Sequence, residues 1–234
     1  MNRYSHVTET HADTGLELVR LVCEGDTGRT EVAFAPAMGC NIMSLVMDGR
    51  EYLVASGDGR VLGTPILYPM PNRVRDAHFE FDDHSFDFEP NNTGNFIHGL
   101  VRERPWAVDE PVITNEGIAC TMRFVFAPGS EAYSLFPISN TLTLTLTLSP
   151  RKLRFDWTIE NQDESRRLPF GLAIHPYFSI LGERSQVRLQ VPAQKAMEAV
   201  SLLPTGKLVD INKTPLGSEP VRLSDLDLDD VFLG

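Results

Sequence analysis

A strict alternation of apolar and polar residues in the middle of the chain constrains the fold more than any other feature. The run Thr141–Leu148 places a leucine at every second position, and after the short segment Ser149–Lys152 the alternation resumes with Leu153, Phe155, Trp157 and Ile159. Because side chains of a β-strand point alternately to opposite faces, both runs predict strands with one buried and one solvated face. The short connection between them predicts a β-hairpin.

The same period of two recurs along the rest of the chain. Two more hairpins are predicted, one joining Phe79–Phe81 to Phe86–Phe88 through 82–85, and one joining Ile42–Met47 to Glu51–Val54 through the turn-forming pair Asp48-Gly49. Shorter strands are expected at Leu16–Cys23, Glu31–Ala35, Ile118–Phe126 and Val187–Val191, whereas 203–220 is expected to be rich in loops. Helical patterns do not exceed two turns. The sequence therefore predicts an all-β, antiparallel β-sandwich that forms one domain over residues 1–234.

Charge and composition narrow the classes of partner. The chain has 32 acidic and 21 basic residues, a net charge of −11, which disfavours nucleic acid and anionic membranes as partners. No run approaches the roughly 20 apolar residues of a membrane span, and the polar N-terminal segment lacks the apolar core of a signal peptide. The three cysteines, Cys23, Cys40 and Cys120, are an odd number without C-x-x-C spacing and favour reduced thiols. We expect a cytoplasmic protein.

Six histidines are present, and none has the spacing of a metal site. The interpretation for four of them, His6, His11, His78 and His84, is a solvated side chain. His98 follows an apolar run and precedes Gly99, and His175 interrupts a longer apolar run. Taken singly, each of these two fits a hydrogen-bonded core histidine as well as a catalytic group. P-loop, G-x-S-x-G and G-x-G-x-x-G motifs are absent from the sequence.

Four short segments, taken together and in order, resemble the aldose 1-epimerase (galactose mutarotase) family. They are Asn72-Arg73, His98-Gly99 (His98 lies 25 residues beyond the arginine), His175-Pro176-Tyr177-Phe178 and Leu228-Asp229-Asp230-Val231-Phe232. The stretch Leu203-Pro204-Thr205-Gly206 also resembles a loop of that family. The resemblance extends from about Gly39 to Phe232, which is most of the chain.

The resemblance implies a large antiparallel β-sandwich of the galactose mutarotase-like type, with a hexose bound on its concave sheet. It also implies a reaction without metal or organic cofactor, in which a base takes the anomeric hydroxyl proton and an acid protonates the ring oxygen. By resemblance His175 is the acid, and His98 hydrogen-bonds the same end of the sugar. Substrate-binding roles fall to Arg73, Asn72, Asp229, Tyr177 and Arg102, and Phe96 and Trp106 are candidate apolar walls.

One part of the family pattern is missing from the printed sequence. The resemblance implies a glutamate base some tens of residues after the aspartate, and no glutamate occupies that position before Gly234. We therefore expect the family's last strands to be absent, one sheet to have an open edge, and the 234-residue form not to accelerate mutarotation. A truncated chain and a natural sugar binder are both compatible with this pattern.

Two other functions stay open. The segment His98–Arg102, followed by Arg104 and Trp106, resembles hexose-6-phosphate mutarotases, because Arg102 and Arg104 can pair with a phosphate. The second is a non-catalytic sugar-binding or sensor module with the same fold. In each case the expected partner is a small-molecule sugar, and the chain is expected to be a monomer or a homodimer.

Overall fold

The computed structural model describes residues 2–234 and consists mainly of antiparallel strands. There is one short helix, α1 (Glu131–Leu135), and 3-10 turns lie at Pro36–Met38, Arg75–Ala77, Ile211–Lys213 and Leu223–Asp225. The strands are β1 (Arg3–Thr10), β2 (Glu17–Gly25), β3 (Gly28–Ala35), β4 (Asn41–Met47), β5 (Arg50–Glu51), β6 (Ser56–Gly57), β7 (Arg60–Val61), β8 (Ile66–Leu67), β9 (Arg73–Val74), β10 (His78–Phe81), β11 (His84–Asp87), β12 (Phe96–Ile97), β13 (Ala107–Val108), β14 (Val112–Ile113), β15 (Ile118–Phe126), β16 (Asn140–Ser149), β17 (Lys152–Asn161), β18 (Ala173–Ile174), β19 (Arg188–Leu189), β20 (Lys195–Val200), β21 (Leu203–Asp210), β22 (Val221–Arg222) and β23 (Val231–Leu233).

The chain falls into two compact units, one ending at Ser179 and the other comprising Ile180–Gly234. The expectation of a single domain stays a prediction. Within residues 2–234, no helix combines the length and the apolar character that crossing a bilayer requires.

Two five-stranded antiparallel sheets dominate the first unit. The first sheet has the order β1-β2-β3-β4-β5, and the second has the order β13-β15-β16-β17, with β14 also paired to β15. The hairpin predicted from the leucine alternation is present as β16 and β17, which pair without interruption from Asn140↔Asn161 to Ser149↔Lys152. The hairpin of β10 and β11 is also present, but its turn is shorter than expected, because His84 pairs with Phe81 as part of β11.

The core of the first unit lies between the two sheets. Leu142, Leu144, Leu146 and Leu148 of β16 have no exposed surface, and they belong to one cluster with Leu21 of β2, Val32 and Phe34 of β3, and Ile118 and Met122 of β15. This burial follows from the alternation, since every second side chain of each strand points toward the opposite sheet. The predicted all-β sandwich is confirmed. All three cysteines are buried and free.

The second unit has a small core of its own. Strands β21, β20 and β23 form one sheet, β19 pairs with β22, and Ile211, Leu216 and Leu226 are buried beside them. The expectation that 203–220 is mostly loop was wrong for its first half, because Leu203–Asp210 forms β21. The polar N-terminal segment likewise forms a strand, β1, at the edge of the first sheet.

Candidate active site

A tight turn after β12 holds His98. The strand pairs Ile97 with Arg73 of β9, and the backbone N–H of His98 donates to the carbonyl oxygen of Asn72 at 3.0 Å. His98 and Gly99 both have positive φ, 73° and 70°. A Cβ on Gly99 would lie 2.3 Å from the carbonyl oxygen of Tyr68, so that only glycine fits this approach. The turn therefore fixes the imidazole beside β9.

His175 lies in an extended segment that begins with β18. Its N–H donates to the carbonyl oxygen of Pro65 at 3.0 Å. The N–H of Tyr177 donates to the carbonyl oxygen of Gly63 at 2.8 Å. Side chains alternate along the segment: Ile174, Pro176 and Phe178 line an apolar cavity of about 290 Å³. His175 and Tyr177 occupy the alternate positions, with their rings 5.0 Å apart.

The fold brings the two imidazoles together. His98 and His175 are 77 positions apart in the chain, and their ring centroids are 5.3 Å apart with an edge-to-face angle of 66°. Both side chains are partly exposed rather than sealed in the core. The two rings are thus close enough for one small polar ligand to contact both.

Arg73 lies beside His98, and neutral groups hold its guanidinium group. Its Nε donates to Oδ1 of Asn92 at 3.0 Å, and its Nη1 donates to Oδ1 of Asn72 at 3.2 Å. Two amide acceptors orient the guanidinium but do not neutralise its charge. The remaining donors suit a hydroxyl-rich or anionic ligand.

The environment keeps His98 neutral near neutral pH. The pKa of His98 is lowered to about 4, chiefly by burial and then by the nearby charges of His175, Arg102 and Arg73, in that order. The Nδ1 atom of His98 is buried and has no hydrogen-bond partner among the described residues. Buried polar atoms are rarely left without a partner in native proteins, so this nitrogen is an exception among the described residues.

The remaining predicted site residues lie in different surroundings. Arg102 is close enough to His98 to lower its pKa, and it forms an ion pair with Glu103 at 2.8 Å. Arg104 is directed elsewhere, toward the carbonyl oxygen of Leu100 and the carboxylate of Glu131. Asp229 is exposed in the second unit, just before β23, and its contact with a sugar stays a prediction.

The two aromatic residues Phe96 and Trp106 are core residues. Phe96 stacks on Phe88 with ring centroids 4.5 Å apart, and the indole N–H of Trp106 donates to the carbonyl oxygen of Val101 at 3.2 Å. Both are at least nine-tenths buried. Tyr177, by contrast, is partly exposed beside His175 and can form one wall of the site.

A family model described as aldose 1-epimerase matches residues 24–234. The chain belongs to the aldose 1-epimerase family. This assignment confirms the resemblance drawn from the four short motifs.

Solved structures support the same fold. A galactose mutarotase-like protein from Clostridium acetobutylicum is 23% identical, with a TM-score of 0.76, over 89% of this chain and 65% of its own length. The galactose 1-epimerase of Lactobacillus acidophilus is 18% identical, with a TM-score of 0.75, over 98% of this chain and 70% of its own length. An aldose epimerase homologue from C. elegans is 16% identical, with a TM-score of 0.63, over 86% and 64%. The chain thus spans about two-thirds of the length of these structures.

Sequence reasoning named Asn72 but did not find Asn92 and Tyr68, which also support the site. Asn92 orients Arg73, and the carbonyl oxygens of Tyr68 and Asn72 hold the His98 turn. The dipeptide Asn91-Asn92 followed by Thr93-Gly94 does indicate a loop. However, the contact of Asn92 with Arg73 depends on the pairing of β9 with β12, two strands of only two residues each.

Proposed function

We propose that the chain binds a hexose between His98 and His175 and takes part in interconverting its α and β anomers. The observation that carries this proposal is the pair of imidazoles with ring centroids 5.3 Å apart, beside a guanidinium held by neutral amides. Ring opening of a pyranose requires a proton donor at the ring-oxygen end of the sugar. A neutral imidazole and a planar guanidinium can supply further hydrogen bonds there.

The proposed roles follow the proton balance of ring opening. A base removes the proton of the anomeric hydroxyl, the electrons form the C1=O1 bond, and the C1–O5 bond breaks. His175 gives its proton to O5, so that the open-chain aldehyde with a 5-hydroxyl results. Rotation about C1–C2 and reversal of these steps yields the other anomer. His98 stays neutral and hydrogen-bonds the same end of the sugar.

The remaining residues bind and orient the substrate. Arg73 donates to ring hydroxyls through its free N–H groups, with Asn72 beside it, and Tyr177 stacks on one side of the sugar. The base is a glutamate in the family, and none of the printed residues matches it, so the test below separates sugar binding from turnover.

Sugar binding is measured by titrating galactose and glucose while following the histidine ring resonances. We expect both sugars to shift the signals of His98 and His175 and to leave the signal of His6, at the sheet edge, unchanged. Replacing Arg73 by Lys keeps the charge but loses the fork, and is expected to weaken binding on the order of 10-fold. Binding that shifts neither site histidine would contradict the proposal.

Turnover is measured by polarimetry with and without added formate, which supplies a carboxylate base. We expect the 234-residue chain to accelerate mutarotation only with formate, and His175→Asn to remove that acceleration, because a positioned acid contributes on the order of 10²–10⁴-fold. His6→Asn is the matched control. Full-rate mutarotation without formate would show that another group of this chain acts as the base.

A hexose 6-phosphate is the second candidate substrate, and the position of Arg102 favours it. Arg102 pairs with Glu103, but its charge also acts on His98, whereas Arg104 is directed to Leu100 and Glu131. On this hypothesis glucose 6-phosphate binds more tightly than glucose, and Arg102→Gln removes the preference. Arg60→Gln, an exposed arginine on β7, is the control. Equal affinities for the two sugars would leave the unphosphorylated hexose as the substrate.

A further inference from the structure

The loop that precedes β12 contains three asparagines, and each of them holds a different group near the candidate site. We call residues 91–95 the asparagine loop; its sequence is Asn91-Asn92-Thr93-Gly94-Asn95. Asn92 and Asn95 form an isolated antiparallel bridge across Thr93 and Gly94, whose φ angles are 47° and 82°. Two central residues with positive φ are typical of the tightest hairpin turns, so the loop reverses its direction within two residues.

The first and third asparagines fix the backbone of the strands that carry the site. Oδ1 of Asn91 accepts from the backbone N–H of Ile97 at 2.8 Å, and its Nδ2 donates to the carbonyl oxygen of Ile97 at 3.3 Å. Ile97 ends β12 and immediately precedes His98. Oδ1 of Asn95 accepts from the N–H of Asp76, in the turn after β9, at 3.0 Å. The two side chains therefore tie the ends of β9 and β12 to one loop.

Asn92, between them, holds a side chain rather than the backbone. Its Oδ1 accepts from Nε of Arg73 at 3.0 Å, and this bond is partly buried. The bond from Nη1 of Arg73 to Asn72 is longer, at 3.2 Å, and exposed. Because water competes for an exposed hydrogen bond, Asn92 is the acceptor that we expect to hold the guanidinium more firmly.

An amide is not the common partner of an arginine in this chain. Among the described residues, nine other arginines form an ion pair with a carboxylate: Arg3, Arg20, Arg29, Arg102, Arg104, Arg123, Arg151, Arg154 and Arg167. The side-chain hydrogen bonds of Arg73 go to two asparagines instead. An amide oxygen fixes the guanidinium through a directional bond and leaves its other donors for a ligand.

We infer that Asn92 is a positioning residue, which holds the guanidinium of Arg73 in the orientation in which its remaining donors reach the sugar. The inference rests on the proposed function, in which Arg73 donates to hydroxyls of a bound hexose. Asn92 acts through Arg73 and does not need to contact the sugar itself. Because its hydrogen bond exists before the sugar arrives, less rotamer freedom of the arginine is lost on binding.

Hydrogen exchange of the Nε–H of Arg73, followed by NMR without sugar, tests the positioning itself. Asn92→Ala removes the acceptor and is expected to speed up this exchange on the order of 10-fold, because a hydrogen bond of a charged group is lost. Asn92→Asp keeps an oxygen at the same position and should keep the exchange slow. Asn2→Ala, at an exposed asparagine before β1, is the matched control. Equal exchange in the wild type and in Asn92→Ala would overturn the inference, whether or not a sugar binds.

A double-mutant cycle on the affinity for galactose tests whether Asn92 acts through Arg73. Asn92→Ala is expected to weaken binding roughly 3- to 10-fold, since the arginine side chain must then be ordered when the sugar binds. In the Arg73→Lys background the same change should weaken binding by less than about 2-fold, because lysine has no N–H at the Nε position. Additive losses would mean that Asn92 acts independently of Arg73, which contradicts the inference.

The two measurements separate a failure of this inference from a failure of the proposed function. If the wild type binds neither galactose nor glucose, the proposed function fails, and the exchange of the Nε–H still decides whether Asn92 holds Arg73. If the wild type binds a sugar and Asn92→Ala binds it equally well, the inference fails and the proposed function stands. Thermal melts check that each variant is folded. Should Asn92→Ala not fold, Asn92→Gln, which moves the amide by one methylene, replaces it in both experiments.

Discussion

The two histidines of the site are held by opposite kinds of structure. His98 lies in a turn with two consecutive positive φ angles, pressed against the backbone of Tyr68. His175 lies in an extended segment, where its orientation follows from the simple alternation of side chains. A turn of the first kind tolerates few sequences, whereas an extended segment tolerates many. The comparison teaches that the geometry of the pair depends mainly on the His98 side.

The most drastic way to break this comparison is a side chain at Gly99. Gly99→Ala would place a Cβ 2.3 Å from the carbonyl oxygen of Tyr68, at a φ of 70°, so the backbone must move. We expect a loss of about 2–4 kcal/mol of unfolding free energy and a displacement of His98. Urea unfolding measures the loss, and the histidine resonances report the displacement.

Gly94→Ala is the matched control for this prediction. Gly94 has a φ of 82°, but a Cβ there meets nothing within 4 Å. Only the backbone conformation is penalised, at about 1 kcal/mol. Equal losses for the two variants would show that the contact with Tyr68 does not constrain the turn.

The sequence could predict the parts of the fold in which local alternation decides the structure, and not those that depend on distant contacts. The alternation of β16 and β17 predicts both strands and the buried face, because local period and tertiary environment agree there. β1 was missed because it is polar on both faces, and an edge strand needs no apolar alternation. β21 was missed because Pro204 and Gly206 suggest a loop, although pairing with β20 overrides them.

The local sequence pattern was not sufficient to predict the geometry of the candidate site. Nothing in the residues around His98 or His175 predicts that their rings approach each other, and only the order of the family motifs indicated it. Their meeting depends on two-residue pairings, β9 with β12 and β8 with β18, that are too short for any periodicity. The role of Asn92 in orienting Arg73 depends on the same pairing.

A second prediction uses pH to sharpen the comparison. The pKa of His98 is about 4 in the folded chain against an ordinary value of 6.5, so between these values the unfolded chain binds more protons. Stability is therefore expected to rise with pH across this window, and to be lost as the pH falls from about 6.5 to about 4. Chemical unfolding at a series of pH values measures the slope.

His98→Asn should flatten that part of the pH profile, since the residue that must remain neutral is gone. His6→Asn, at the edge strand β1, changes the same residue type in a different environment and should keep the slope. An unchanged profile in the His98 variant would mean that other groups produce the pH dependence.

The smallest expected effect concerns how the two sides of the site act on each other. The charges of His175, Arg102 and Arg73 contribute to the low pKa of His98 in decreasing order, after burial. His175→Asn is therefore expected to raise the pKa of His98 most, Arg102→Gln less, and Arg73→Gln least. NMR titration of the imidazole signals measures these values, with Arg60→Gln as the control. If removing His175 leaves the pKa of His98 unchanged, burial and the two arginines account for the neutral imidazole, and the charge of His175 does not act on it although the rings are neighbours.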